Sequence, residues 1–201
     1  MPTPFPEVAS ERIRPEFETA VQMLAHVAAN HPERTAIICD EIKIAYADYY
    51  ACVAGMVANL IEMGVKGERV IILNANSIET SIATYAVWAA GRQVVLLNPL
   101  YTENELGPLI EDVAATVILC DKVHEEMLAP LARATGVENF YNFNEKRVEI
   151  DQWRGYRELK FPEPAPVGSD VCILAYTGGT TGLPKAAVHR RGRRGSSRRA
   201  A

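Results

Sequence analysis

The residues best suited to chemistry lie near the C-terminal end of the sequence, directly after an apolar run. Within nine positions the chain has three glycines, three threonines and a lysine. Glycines let the backbone turn tightly and expose bare N–H groups, threonine hydroxyls add donors, and lysine supplies a mobile positive charge. Such groups can hold a polyphosphate, and the candidate phosphate-binding residues are Thr177, Gly178, Gly179, Thr180, Thr181, Gly182 and Lys185.

One lysine cannot hold a triphosphate by itself. Two unit charges ~4 Å apart attract by about 1 kcal/mol in water and about 4 kcal/mol at the effective dielectric of a protein surface, so the neutral donors are needed too. The segment is not a Walker A loop, because no glycine stands five residues before a Gly-Lys pair, and G-x-G-x-x-G is absent. Taken singly, Lys185 is typical of a solvated surface and the threonines of a turn. Only their combination points to a ligand.

The upstream segments predict the scaffold that positions this loop. Helical spacing of apolar residues, β-branched runs and turn residues alternate along the chain. Ser77 is expected to cap one helix, and Thr102 with Glu105 forms a capping box before another. The predicted helices are Glu18–Asn30, Tyr49–Leu60, Ile78–Ala89, Thr102–Val113 and Glu125–Ala134, and the predicted strands are Thr35–Cys39, Ile42–Tyr46, Val70–Leu73, Val94–Leu97, Thr116–Cys120, Val137–Phe143 and Val171–Tyr176.

The later strands are continuously apolar, which is typical of a parallel sheet covered on both faces. We therefore predict an α/β fold with a mostly parallel sheet and helices on both faces. A loop at the carboxyl end of such a strand lies where these sheets bind ligands. Pro108 and Pro130 are expected to disturb the helices that contain them. The charged, proline-rich stretch from Glu145 to Ser169 predicts a surface connection before the last strand.

Three segments resemble one enzyme family. The string Tyr176-Thr-Gly-Gly-Thr-Thr-Gly-Leu-Pro-Lys185 resembles the signature loop of the AMP-forming adenylating enzymes, which include acyl-CoA ligases, luciferases and peptide-synthetase adenylation domains. Ile44–Tyr50 resembles the first core motif of that family and Trp88–Leu106 its second, in the expected order. Within this family, the sequence Asn98-Pro-Leu-Tyr-Thr102 favours a resemblance to the fatty-acyl-CoA ligases. The resemblance covers roughly Glu18 to His189.

The resemblance implies ATP-dependent activation of a carboxylic acid, expected to be a fatty acid, to an acyl-adenylate and then to an acyl-CoA. It implies ATP, Mg²⁺ and coenzyme A as cofactor and co-substrates. The loop from Tyr176 to Lys185 would hold the β- and γ-phosphates, and Thr177 or Thr181 could touch the metal. Aryl-acid and amino-acid adenylating enzymes remain alternatives, as does a non-catalytic nucleotide-binding module.

The last twelve residues depart from the family pattern. The family usually has glycine after the lysine and Thr-His further on, whereas this chain has Ala186 and continues from Arg190 with six arginines and no acid. We therefore predict a partial N-terminal adenylation domain at 1–189 and a basic, disordered tail at 190–201. We interpret the tail as the result of a frameshift or of a premature end in a longer gene. The later motifs of the family have no counterpart, so no catalytic residue is expected here and the chain alone should be inactive.

Composition limits the remaining possibilities. The sequence is 48% hydrophobic and 23% charged, as in a globular protein. Removing the six tail arginines from the net charge of −4 leaves −10 for residues 1–189, which disfavours nucleic acid as a partner except through the tail. No apolar run reaches the ~20 residues of a membrane span, so a cytoplasmic protein is expected. The scattered cysteines predict reduced, buried thiols, and the scattered histidines predict no metal cage.

Overall fold

The computed structural model describes residues 17–65, 69–137, 139–143, 148–156, 167, 170–177 and 185–190. Its helices and strands alternate along the chain much as the sequence predicts. They are α1 Ala20–Asn30, β1 Thr35–Cys39, β2 Ile42–Ala45, α2 Tyr46–Glu62, β3 Arg69–Leu73, α3 Ile78–Ala89, β4 Gln93–Leu96, α4 Glu103–Val113, β5 Val117–Asp121, α5 Lys122–Ala134, β6 Asn139–Phe143, α6 Val148–Trp153, β7 Val171–Thr177 and β8 Lys185–Arg190.

Within the described part of the chain, six strands form the main sheet, in the order β6-β5-β3-β4-β7-β8. All neighbouring strands are parallel except β7 and β8, which pair antiparallel. The first two strands form a separate antiparallel hairpin, which turns through Asp40 at a φ of 52°. The predicted α/β class with a mostly parallel sheet is therefore confirmed.

Helices cover both faces of the sheet, which explains why its strands are apolar at successive positions. On one face, Val70 and Ile72 of β3 pack with α1, α2, α3 and α6. On the other face, Ile71 and Leu73 of the same strand pack with α4 and α5. Successive side chains of a strand point to opposite faces, so both sets become buried and no polar alternation can appear.

Local hydrogen bonds fix where the helices begin. Ser77 caps α3 by accepting from the backbone N–H of Thr80, as predicted. The predicted capping box of Thr102 and Glu105 starts α4, and hydrogen bonding from Thr102 lowers the pKa of the Glu105 carboxyl. The structure adds a cap that the sequence reading missed, Asp121 before α5. Both proline-containing helices form, and Pro130 lies on the exposed side of α5.

The predicted surface connection between Glu145 and Ser169 is wrong over its first part. Residues Val148–Trp153 form α6, and Trp153 is only 1% exposed. This helix packs against α2 where that helix has Gly55. The small residues of α2 do predict a close neighbour. The connection was misread because a six-residue helix is too short to show a helical repeat of apolar residues.

The buried thiols follow the prediction with one difference. Cys52, Cys120 and Cys172 are buried, Cys39 is half-buried, and all four are reduced thiols. Among the residues that the structure describes, no three His, Cys, Asp or Glu side chains are placed to hold a metal ion. In the same residues, no helix has the length and apolarity needed to cross a membrane.

Candidate phosphate-binding site

The predicted phosphate loop connects the two antiparallel strands at one end of the sheet. Strand β7 ends at Thr177 and β8 begins at Lys185, and these two residues are direct partners in the ladder. Paired Cα atoms of antiparallel strands lie about 5 Å apart, so the chain returns to its starting point after residues 178–184. The predicted residues Gly178, Gly179, Thr180, Thr181 and Gly182 lie outside the described residues. The structure thus brings together the two ends of the predicted site.

Strand β8 was not predicted from the sequence. The segment after the lysine was read only as the last part of the family resemblance before the tail. Its residues Ala186–Arg190 are all exposed, so burial gave no periodic signal. Only pairing with β7 reveals the strand. Because β8 includes Arg190 and residues 191–201 are not described, the division of the chain at 189/190 remains a prediction.

The loop leaves from the carboxyl edge of the parallel sheet, as predicted. The last pair between β4 and β7 is Leu96 with Ala175, so Tyr176 and Thr177 extend past the pairing with β4. Strand β4 is followed at the same edge by a turn, in which the Asn98 side chain accepts from the backbone N–H of Leu100 at 2.9 Å. Sequence reasoning assigned Asn98 and Pro99 to a strand-ending turn, and that assignment is confirmed.

The side chain of Tyr176 packs on the face of the sheet that α4 and α5 cover. Its ring lies against the core cluster of α4 and α5, and its hydroxyl donates to Asp112 Oδ2 at 2.5 Å. Burial, together with the hydrogen bond and negative charge of Asp112, raises the pKa of the Tyr176 phenol to about 12. The sequence left open whether Tyr176 packs or meets a ligand. The structure shows the packing contact.

Two further contacts tie together elements near the candidate site, and the sequence predicted neither. Trp88 at the end of α3 donates its indole N–H to the carbonyl oxygen of Cys172 at 3.0 Å, which ties the start of β7 to α3. One ring nitrogen of His124 contacts Asp121 at 2.5 Å, and the other lies 3.0 Å from the carbonyl oxygen of Pro99. The histidine thus links the turn after β4 to the end of β5. Neither residue type nor spacing signals such long-range contacts.

The fold and the candidate site together define a class of protein. It has an open, mostly parallel α/β sheet with a glycine- and threonine-rich hairpin at its carboxyl edge. The family described as "AMP-binding enzyme" matches residues 24–197, and the chain belongs to this family.

Individual relatives and solved structures are similar to the chain over most of its length. The chain is 29% identical over 200 residues to a long-chain-fatty-acid–CoA ligase of Bacillus subtilis, a match that covers 84% of this chain and 36% of the relative. The solved structure of the anthranilate CoA ligase AuaEII superimposes with a TM-score of 0.76 at 20% identity, covering 89% of this chain and 34% of the other. ATP-bound MatB from Rhodopseudomonas palustris superimposes with a TM-score of 0.73 at 22% identity, covering 85% and 35%. The chain therefore spans little more than a third of the length of these proteins.

Proposed function

We propose that the chain supplies the phosphate-binding part of an enzyme that activates a carboxylic acid with ATP. The acid carboxylate attacks the α-phosphorus, pyrophosphate leaves, and the acyl group then passes from the adenylate to the thiol of coenzyme A as AMP departs. One observation carries the proposal: a hairpin closed by Thr177 and Lys185 stands at the carboxyl edge of the sheet in a member of the AMP-binding family.

The hairpin residues would act on the leaving pyrophosphate. Backbone N–H groups of Gly178, Gly179 and Gly182 and hydroxyls of Thr180 and Thr181 would donate to the β- and γ-phosphate oxygens, and Lys185 would offset charge that builds up as pyrophosphate departs. Removing one such preorganised donor typically costs about 10²–10³-fold in rate.

The donor set fits a phosphate better than it fits a metal on its own. It consists of amides, hydroxyls and an ammonium group, all of which favour an anion. The proposal therefore leaves Mg²⁺ with the ATP phosphates, where it neutralises charge, and assigns at most one hydroxyl ligand, from Thr177 or Thr181, to it.

A fatty acid is the acid we propose, because the chain resembles fatty-acyl-CoA ligases in sequence and a curated relative carries that name. Aryl and amino acids are the competing substrates. We also propose that the 201-residue chain has no ligase activity alone, since it spans about 36% of that relative. Acid-dependent exchange of pyrophosphate into ATP by the purified chain would contradict this part.

Titration calorimetry with Mg·ATP, tripolyphosphate and AMP tests the phosphate assignment. Lys185→Ala should weaken Mg·ATP and tripolyphosphate binding about tenfold or more and leave AMP binding unchanged, because AMP lacks the β- and γ-phosphates. Lys43→Ala, which removes an exposed lysine from β2, is the matched control. Equal affinity for Mg·ATP in wild type and Lys185→Ala, or no Mg·ATP binding by the wild type, would overturn the proposal.

A further inference from the structure

The phosphate hairpin joins the rest of the molecule through a short neck, defined as Tyr176, Thr177, Lys185 and Ala186. Strand β7 pairs with β4 only as far as Ala175. The neck residues pair with each other across the hairpin, Tyr176 with Ala186 and Thr177 with Lys185. Ladder pairing with β4 therefore does not fix the position of the neck relative to the sheet.

The side chain of Tyr176 connects the neck to the helices that cover the sheet. The Tyr176 ring packs on the cluster formed by α4 and α5, and its hydroxyl donates to Asp112 on α4. The two residues are 64 positions apart in sequence, so this bond ties the neck to a different element. The Tyr176 phenol is protonated across the physiological range and can donate, and burial together with Asp112 raises its pKa further, to about 12.

The support on the Asp112 side is rigid. Helix α4 starts with a capping box and buries Leu109, Ile110 and Val113. Next to Asp112, the carbonyl oxygen of Val113 accepts from Arg69 Nη1 at 2.8 Å, which anchors the end of α4 to the start of β3. The Asp112 side chain is exposed, but the helix backbone that carries it is held at both ends, so the acceptor stands on a fixed support.

We propose that Tyr176 and Asp112 are positioning residues that hold the hairpin neck in the orientation needed to bind the ATP phosphates. The inference rests on the proposed function and deepens it. Phosphate binding by many weak donors requires each donor to be in place, and small displacements of a binding group lower affinity and rate steeply. A tie one residue before Thr177 sets the direction from which the donors approach.

Hydrogen–deuterium exchange of the purified chain tests the tie without any nucleotide. Tyr176→Phe keeps the packed ring and removes only the hydroxyl, and Asp112→Ala removes the acceptor. Each should speed exchange of the ladder-protected backbone amides in Tyr176–Thr177 and Lys185–Ala187 about five- to tenfold, in the range expected for losing one exposed hydrogen bond. Exchange in α2 and α3 should not change.

Conservative variants separate positioning from a general loss of structure. Asp112→Asn keeps a neutral acceptor, so its effect should be smaller than that of Asp112→Ala. Tyr101→Phe removes a hydroxyl on the same face of the sheet, and Glu111→Gln alters the neighbouring exposed acid on α4; neither should affect the neck. The double variant Tyr176→Phe/Asp112→Ala should add nothing to either single variant, because both remove the same bond.

Mg·ATP titration of the same proteins completes the test. Tyr176→Phe and Asp112→Ala should raise the dissociation constant for Mg·ATP about five- to tenfold, with AMP binding and the unfolding temperature nearly unchanged. If wild type binds Mg·ATP while both variants match it in neck exchange and affinity, the positioning inference fails and the proposed function stands. If neck exchange responds but wild type binds no Mg·ATP, the tie exists and both the proposed function and the role in phosphate binding are overturned.

Discussion

Replacing Gly55 by alanine should destabilise the protein, although alanine is the better helix former. Gly55 lies inside α2, where α6 makes its closest approach. A Cβ at this position would lie 2.6 Å from Trp153 Cδ1, 2.7 Å from its Cβ and 2.8 Å from its Cα. Rotating the tryptophan side chain cannot relieve contacts with its Cβ and Cα. Helix α6 would have to move by about 1 Å to restore an ordinary carbon–carbon distance.

The expected size follows from two opposing terms. Alanine in place of glycine in a helix interior stabilises by about 1 kcal/mol. Overpacking a buried contact costs about 1–3 kcal/mol, and a clash that involves backbone belongs at the upper end. The net effect is a loss of about 2 kcal/mol, which for a chain of this size lowers the unfolding temperature by about 4–8 °C.

Gly107→Ala provides a control that lacks the tertiary clash. Gly107 also lies inside a helix, and apart from its chain neighbours an added Cβ would meet only Leu131 Cδ2, at an ordinary 3.6 Å. Because Gly107 precedes Pro108, whose ring disfavours a helical residue with a Cβ before it, the gain in helix propensity is offset, and this variant should change stability by less than about 1 kcal/mol. Urea unfolding followed by far-UV circular dichroism measures both. A Gly55→Ala protein as stable as wild type, or more stable, would refute the close packing of α6 on α2.

Two other expectations concern stability. Ser77→Ala should cost about 1 kcal/mol by removing the cap of α3, and Ser77→Asp should restore most of it, as measured by the urea midpoint. Burial raises the pKa of the Cys52 and Cys120 thiols from 9.0 to about 12, so the unfolded chain loses these protons first. Stability from this source is complete below about pH 9 and declines as pH rises towards 12. A urea midpoint that stays constant or rises between pH 9 and 11 would contradict the second expectation.

Much of the fold could be predicted because its information is local. The hydroxyl of Ser77 caps a helix through a contact three residues away, and Thr102 with Glu105 does the same. Residues Val70–Leu73 of strand β3 are all apolar, which predicts that this strand is buried on both faces. Pro130 lowered the expectation for α5, yet the helix forms, since its apolar residues are buried and the proline lies at the surface.

The parts that escaped prediction depend on distant partners. Helix α6 is held by Trp153 against Gly55, nearly a hundred residues earlier, and strand β8 exists through pairing with β7 although residues Ala186–Arg190 are exposed. Neither element has a repeat of its own from which it could be recognised.

The candidate site divides in the same way. Residue types and spacing between Thr177 and Lys185 were enough to indicate a phosphate-binding loop and its family, because glycine, threonine and lysine carry that chemistry wherever a tight loop places them. Only the tertiary structure decided that the loop stands on a neck beyond the pairing with β4, and that Tyr176 reaches Asp112 on α4. A hydrogen bond between residues 64 positions apart exists only after the sheet and its helices have packed.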